Sequence, residues 1–421
     1  MENGVSVVDL ERVMRPFTWF SLAAYLLLLV LAARRRNRFI VIFLGIVLGI
    51  HTLSAIPLAA RLARSGPVVE ALTWYAQGVT YLYFLRFGRG RPGPVYRALV
   101  SWPASWFAAS TYLAIPWSVA EALRLPLPWV FVPFAVGAFG FLQSLTTRRE
   151  LRSIVLDRAD VGTLRRYDRR IKALVHRITH DDRPLRIVQI TDPHLGPFMS
   201  EARLTRICER AVAQQPDLVL LTGDFLTVES QKSPDPLARS LAPLAALKGR
   251  VFACFGNHDH ESPQLVKQAL ARAGVRLLID DAVDVELPWG PIQIVGADHH
   301  FRGRERALAA LAADHPRKPG QLRLWLLHDP GAFQAIPEGE ADLVFSGHTH
   351  GGHLGLLSLG LPHTIVSAAT KMPDHGVWAR GRDRLYVHRG TGHYGFPLRI
   401  GVPAEESVLQ IYRAEAEVGS R

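Results

Sequence analysis

The chain has 421 residues, 48% hydrophobic and 20% charged, with a formal net charge of +12 and a mean hydropathy of +0.11. This apolar content excludes a disordered chain, and with only Cys208 and Cys254 a disulfide-stapled miniprotein is excluded too. Residues 1–146 hold thirteen arginines, no lysine and five acids, so +8 of the +12 sits in an apolar third rather than on a nucleic-acid-reading face.

Five apolar stretches occur in that third, at 18–33, 39–60, 68–85, 98–119 and 127–145. A helix crosses the ~30 Å hydrocarbon core with about 20 residues. The stretches predict an all-α, multi-pass transmembrane domain over 1–146, with about five helices and the lipid bilayer as partner. Pro103 and Pro116 interrupt the fourth stretch, and Glu70 and Gln77 lie in the third. Six of the nine tryptophans fall here, as membrane-interface anchors do. Arg34, Arg35, Arg36 and Arg38 follow the first stretch, Arg86, Arg89, Arg91 and Arg97 the third, and Arg148, Arg149 and Arg152 the fifth. The loops between carry only Arg61, Arg64 and Arg124. Arginine-rich loops favour the cytoplasm, so the expectation is a cell-membrane protein with its C-terminal part inside.

Residues 147–182 read as a basic connector. Leu164, Tyr167, Ile171, Leu174, Val175 and Ile178 recur at helical spacing, with Arg165, Arg166, Arg169, Arg170, Lys172 and Arg177 between them. Such a helix either lies on an anionic leaflet or packs on the domain that follows.

From residue 183 to 421 short β-rich runs alternate with helical patterns, which predicts an α/β domain. The runs lie at 185–190, 217–221, 251–255, 292–295, 322–327 and 342–345. Five of them end in loops holding Asp192 and His194, Asp224, Asn257 with His258 and Asp259, His328, and His348 with His350. Singly, each has a bland explanation as a helix cap, a turn or a structural histidine. Together they form a donor set suited to two divalent ions (Mn, Fe, Zn or Mg) sharing one carboxylate. Gly223, Gly256, Gly347, Gly351 and Gly352 permit tight turns after the strands.

The order Asp-x-His, Gly-Asp, Gly-Asn-His-Asp, His, Gly-His-x-His resembles the calcineurin-like metallophosphoesterase superfamily over about residues 185–412. The block Gly-His-Thr-His-Gly-Gly, with Arg389-Gly390, Arg399 and Pro403-Ala404-Glu405, is most similar to its YkuE/YaeI-like branch. The resemblance implies a four-layer α/β/β/α sandwich with two mixed sheets. It also implies Asp192, His194 and His350 on one metal, Asn257, His328 and His348 on the other, and Asp224 bridging both. His258 would protonate the leaving alkoxide, with Asp259 orienting it, after attack by a metal-bridging hydroxide. The implied activity is hydrolysis of a phosphate ester or pyrophosphate, and the membrane segments suggest a lipid one. The alternatives are a non-catalytic metal-binding scaffold, or a sensor or transporter with a regulatory phosphoesterase domain; His51, Glu70 and Gln77 give the latter little support. His260, His299, His300 and His353 depart from the family pattern, and loop histidines facing solvent are the plain expectation for them.

Overall fold

The computed structural model describes residues 7–35, 38–86, 88–157, 159–176, 183–395 and 397–413. Arg36, Arg177 and Ile178 lie outside the described residues. The chain divides into two compact units, Met1–Leu142 with Gly395–Leu398, and Gln143–Tyr394 with Arg399–Arg421.

The first unit is helical. Its helices are α1 (Val7–Arg35), α2 (Arg38–Ala63), α3 (Pro67–Arg86), α4 (Trp102–Leu113), α5 (Ile115–Ala122) and α6 (Val132–Ser144). Two segments, Pro16–Arg34 and Ile40–Ala63, have the length and apolarity to cross a membrane. The third stretch forms a 20-residue helix. The fourth is broken: a π-helical turn at Arg97–Ser101 precedes α4, and a new helix starts at Ile115. Pro103 and Pro116 each sit in a first helical turn, where a missing N–H costs nothing. The fifth yields only 13 helical residues, because Pro126 and Pro128 hold the chain out of a helix before Val132. Inside the unit, His51 Nδ1 lies 2.8 Å from Thr111 Oγ1 and its Nε2 3.1 Å from Gln77 Oε1. The Gln77 amide in turn donates to Ser21 Oγ at 3.0 Å. These polar groups are thus engaged in cross-helix bonds rather than left facing a path.

The second unit holds two mixed sheets. One contains β1 (Thr147–Leu156), β3 (Leu185–Ile190), β4 (Leu218–Thr222), β5 (Val251–Cys254), β6 (Arg276–Leu277) and β13 (Ala404–Arg413), in the order β1-β13-β3-β4-β5-β6. The other contains β2 (Arg165–Arg166), β7 (Asp281–Leu287), β8 (Gly290–Gly296), β9 (Leu322–Leu326), β10 (Leu343–Ser346), β11 (Gly376–Arg380) and β12 (Asp383–Val387), in the order β2-β11-β12-β10-β9-β8-β7. Strand β3 shows why they stack. Leu185 and Ile187 join a core shared with Leu324, Phe345 and Tyr386 of the opposite sheet. Val188 and Ile190 face the other way, packing with Leu204 and Ile207 of helix Glu201–Ala213. The second sheet's outer face packs Val295, Trp325 and Val344 on Leu308 and Leu311 of helix Arg304–Asp314. The result is the four-layer α/β/β/α sandwich.

Parts of the basic segment are built into the second unit. Thr147–Leu156 pairs in parallel with Ala404–Arg413, placing Ile154 opposite Ile411 in the inter-sheet core. Arg165–Arg166 adds to the edge of the second sheet. Among the described residues of this segment, Asp168–Val175 is helical, and it buries Ile171 beside Tyr167 in the same core. Of the two readings, packing on the following domain is the one these contacts match. If β1 is structural, Ile154→Ala should destabilise the second unit by about 2–5 kcal/mol, as buried aliphatic truncations do. A thermal scan in detergent should show a lowered midpoint; an unchanged one would mean that the strand contributes nothing to the core.

Candidate metal centre

The parallel strands aim their C-terminal ends at one region. Asp192 and His194 follow β3, Asp224 follows β4, Asn257 follows β5, His328 follows β9, and His348 and His350 follow β10. Ligand residues at carboxyl ends of strands are what open α/β sheets present. Two sets of potential metal-ligating atoms lie close together: Asp192, His194 and His350, and Asp224, His328 and His348. The Asp224 Oδ2 atom is 3.2 Å from His328 Nε2 of the second set and 3.6 Å from His194 Nε2 of the first. Asp192 Oδ1 is 3.4 Å from His350 Nε2 and 4.0 Å from His328 Nε2. These spacings suit ligands whose bonds to a cation are about 2.0–2.2 Å long.

The residues fit a metal on a second ground. The Asn257 Oδ1 and His194 Nε2 atoms are buried with no hydrogen-bond partner among the described residues. A buried polar atom without a partner costs about 1–3 kcal/mol, and a cation would supply the missing interaction. Burial, reinforced by neighbouring imidazoles, lowers the pKa of His194 to about 3 and of His348 to about 4. His350 is held well below 6.5 by burial, then by His353, His194 and Arg399. All three are therefore neutral, the form in which imidazole binds metal. His328 behaves oppositely. Burial lowers it, but Asp224 and Asp192 outweigh that and raise its pKa to about 10. Its Nδ1 is fixed 2.6 Å from the Thr222 carbonyl oxygen.

The backbone is bent to make this cluster. Asp192, His194, Asp224, His348 and His350 all have positive φ, from 42° to 67°. Such conformations cost non-glycine residues about 1–3 kcal/mol each and concentrate at functional sites. Two glycines allow the close approach: a Cβ on Gly347 would lie 2.2 Å from Asp192 Oδ2, and one on Gly256 2.2 Å from Asp224 Oδ1.

His258 stands beside the two sets. Its backbone N–H donates to Asp224 Oδ1 at 2.9 Å, and its ring lies 4.0 Å from the Tyr394 ring and 5.6 Å from His194, centroid to centroid. Its Nδ1 is 2.7 Å from Glu261 Oε1. Burial lowers its pKa, but the Glu261 hydrogen bond and Asp224 outweigh burial, so the net shift is upward. Asp259 is not the residue that orients it. The Asp259 carboxylate instead accepts the backbone N–H groups of Asp224 and Gly256 at 2.8 Å and of Phe225 at 2.9 Å. It clamps the two ligand loops together, and Glu261, one 3₁₀ turn beyond His258, holds the imidazole. Glu261 and Tyr394 were not singled out from the sequence. The i,i+3 spacing from His258 was the available signal for Glu261; Tyr394 offered none.

The extra histidines have partners. His260 Nε2 is 2.8 Å from Asp298 Oδ1, and His300 Nε2 is 3.0 Å from Asp280 Oδ2. His353 stacks on His350 at 5.0 Å, and the His299 ring lies 6.3 Å from His348. Cys208 and Cys254 are buried and unpaired.

A model of the calcineurin-like phosphoesterase family matches residues 185–352. The chain is 30% identical over 233 residues to phosphodiesterase YaeI of Escherichia coli K12, covering 54% of this chain and 82% of that one. It is 27% identical over 271 residues to the bovine transmembrane protein with metallophosphoesterase domain, covering 58% of this chain and 56% of that one. It is 27% identical over 242 residues to the uncharacterized metallophosphoesterase YkuE of Bacillus subtilis, covering 56% and 81%. The chain thus spans little more than half the length of the bovine relative.

A methyl group at position 347 would displace Asp192 without removing any donor. Gly347→Ala should therefore weaken metal binding by about 10–100-fold, the usual cost of disturbing a ligand's support. Titration of the metal-stripped chain, followed by elemental analysis, measures this.

Proposed function

Because the chain belongs to the calcineurin-like phosphoesterase family, we propose that it is a membrane-bound phosphoesterase whose centre takes two divalent cations and whose substrate is a lipid phosphodiester. One observation carries the binuclear reading: Asp224 Oδ2 lies between an imidazole of each ligand set. Asp192, His194 and His350 would hold one ion, Asn257, His328 and His348 the other, with Asp224 shared. When bound, such a pair would supply Lewis acidity at the phosphoryl oxygens and would acidify water at the site.

The protein's own groups do the remainder. Asp224 and Asp192 fix the relative position of the two ligand sets. His258, its pKa raised by Glu261, carries a proton at Nε2 while Nδ1 stays on the carboxylate. That proton goes to the leaving alkoxide oxygen, so the alcohol departs neutral. Tyr394 covers the outer face of the imidazole and limits its rotation. A scaffold that kept metal only for stability would have no use for a histidine held by Glu261 outside both ligand sets.

The substrate reading rests on two supports. The chain carries two membrane-length apolar helices, and a relative is named as a transmembrane protein. Another relative is named as a phosphodiesterase, which favours a diester. The arginine-rich loops favour a cytoplasmic position for the catalytic unit.

His258→Ala should retain its metal while kcat on a dialkyl phosphodiester such as glycerophosphocholine, whose leaving group is an alkoxide, falls by about 10²–10⁴-fold. Unchanged turnover with metal retained would end the general-acid assignment. The pH profile tests the Glu261 contact. His258 must be protonated to act, so activity is lost as pH rises through its raised pKa. In Glu261→Gln the carboxylate's upward contribution is lost and that pKa falls, so the basic limb of kcat should move to lower pH while the metal content stays the same.

A further inference from the structure

Between Asp342 and Lys371 the sequence contains no lysine, arginine, aspartate or glutamate. This uncharged run begins in β10, passes through His348 and His350, and continues as a loop rich in leucine. The loop is built rather than slack. The Gly355 N–H donates to the Ile400 carbonyl at 2.9 Å, the Leu356 N–H to the His363 carbonyl at 2.8 Å, and the Ser358 N–H to the Gly401 carbonyl at 2.8 Å. Thr364 and Ser367 close it with a reciprocal capping box at the start of the helix Ile365–Ala369. Gly352, at φ 73°, packs its backbone against Val366, where a Cβ would meet the valine at 2.9 Å.

At the tip the apolar side chains point outward. Leu359 is 75% exposed, Ile365 52%, Leu361 47% and Leu356 42%. A built loop that exposes four aliphatic side chains, with His363 its one titratable side chain and no lysine, arginine, aspartate or glutamate, gains free energy by burying them against an apolar partner. The chain supplies its own clue to which partner. It carries two helices able to cross a bilayer, so the catalytic unit is tethered to a membrane surface. An uncharged aliphatic tip can enter the headgroup–acyl boundary without desolvating an ion.

We propose that the loop 354–365 is a membrane-interface anchor that inserts Leu356, Leu359, Leu361 and Ile365 into the lipid surface beside the metal centre. Because the loop follows His350 by a few residues, its insertion would hold the centre at headgroup level, where the phosphates of lipids lie. The proposal rests on the reading of the apolar helices as membrane spans, not on the phosphoesterase mechanism.

The native thiols favour a direct test, since Cys208 and Cys254 are both buried. A Leu359→Cys full-length chain, carrying an environment-sensitive fluorophore on that thiol, is reconstituted into phosphatidylcholine–phosphatidylglycerol vesicles. An equivalent label on exposed Glu305→Cys is the control. Insertion predicts quenching of the Leu359 label by nitroxide lipids and protection from aqueous iodide, with the reverse at position 305. Quenching by iodide alone overturns the proposal. Protection from both quenchers also overturns it, because the loop is then covered by protein, either this chain's own helices or a second copy. If the chain fails to float with vesicles, the membrane reading falls as well. Turnover is read separately. Leu359→Glu with Leu361→Glu should raise the apparent KM for a vesicle-borne phosphodiester by about tenfold, leaving kcat on soluble bis(p-nitrophenyl) phosphate unchanged. Loss on both substrates would mean instead that the loop supports the centre.

Discussion

Everything in the catalytic unit follows from one requirement: carboxylate and imidazole donors from five separate strand ends must meet around the Asp224 oxygen. Strands run straight, so each chain must turn sharply as it leaves the sheet. After three of the strands, β3, β4 and β10, the positive φ angles at Asp192, His194, Asp224, His348 and His350 make that turn. At about 1–3 kcal/mol each they strain the fold by an amount comparable with a domain's whole stability. The strain persists because a doubly packed sheet leaves the loops no relaxed alternative, and a bound cation would favour the same geometry.

Asp259 shows how such an arrangement is held. Three backbone N–H groups from two ligand loops converge on its carboxylate. Burial and the nearby Asp224 charge raise its pKa, while the three donors act to lower it. The net shift is upward, to about 7, so the three fixed dipoles offset only part of the cost of burying this carboxylate. His258 is then free to take its partner from solvent-facing Glu261 instead of from the interior.

Much of the site was legible because metal ligands need particular side chains immediately after β-rich runs. Asp192, Asp224, His328 and His350 could be read in that way without any knowledge of distance. What escaped depended on distance. Thr147–Leu156 looks like a linker because half of its residues are charged or exposed, and only its pairing with β13, over 250 residues away, makes it a strand. Asp259 looked like a partner for His258 because it is adjacent in sequence. On a 3₁₀ turn the neighbour points elsewhere, and the residue three positions on takes its place. In the first unit, hydropathy located the apolar stretches but not their breaks, which follow from prolines whose effect is local and geometric.

The pairing of β1 also gives the charge of that segment a structural use. Glu150 turns into the space between the sheets, where Arg389 bonds both it and Glu405. Glu405 in turn accepts from the Tyr386 hydroxyl, and it is held well below the usual carboxylate range: burial raises it, but His388 and Arg389 outweigh burial. Removing one member of a buried pair strands its partner at about 3–5 kcal/mol, so such a network fixes register even where it adds little net stability. Arg389 is followed by Gly390, whose backbone sits against His350, so close that a Cβ there would lie 2.8 Å from the Nδ1 atom. The first strand after the apolar helices is therefore tied, through two buried ion pairs, to the loop that supports a metal ligand. A shift of β1 along β13 would separate Glu150 from Arg389, leaving Arg389, one residue before the glycine that packs on His350, with Glu405 as its remaining carboxylate partner.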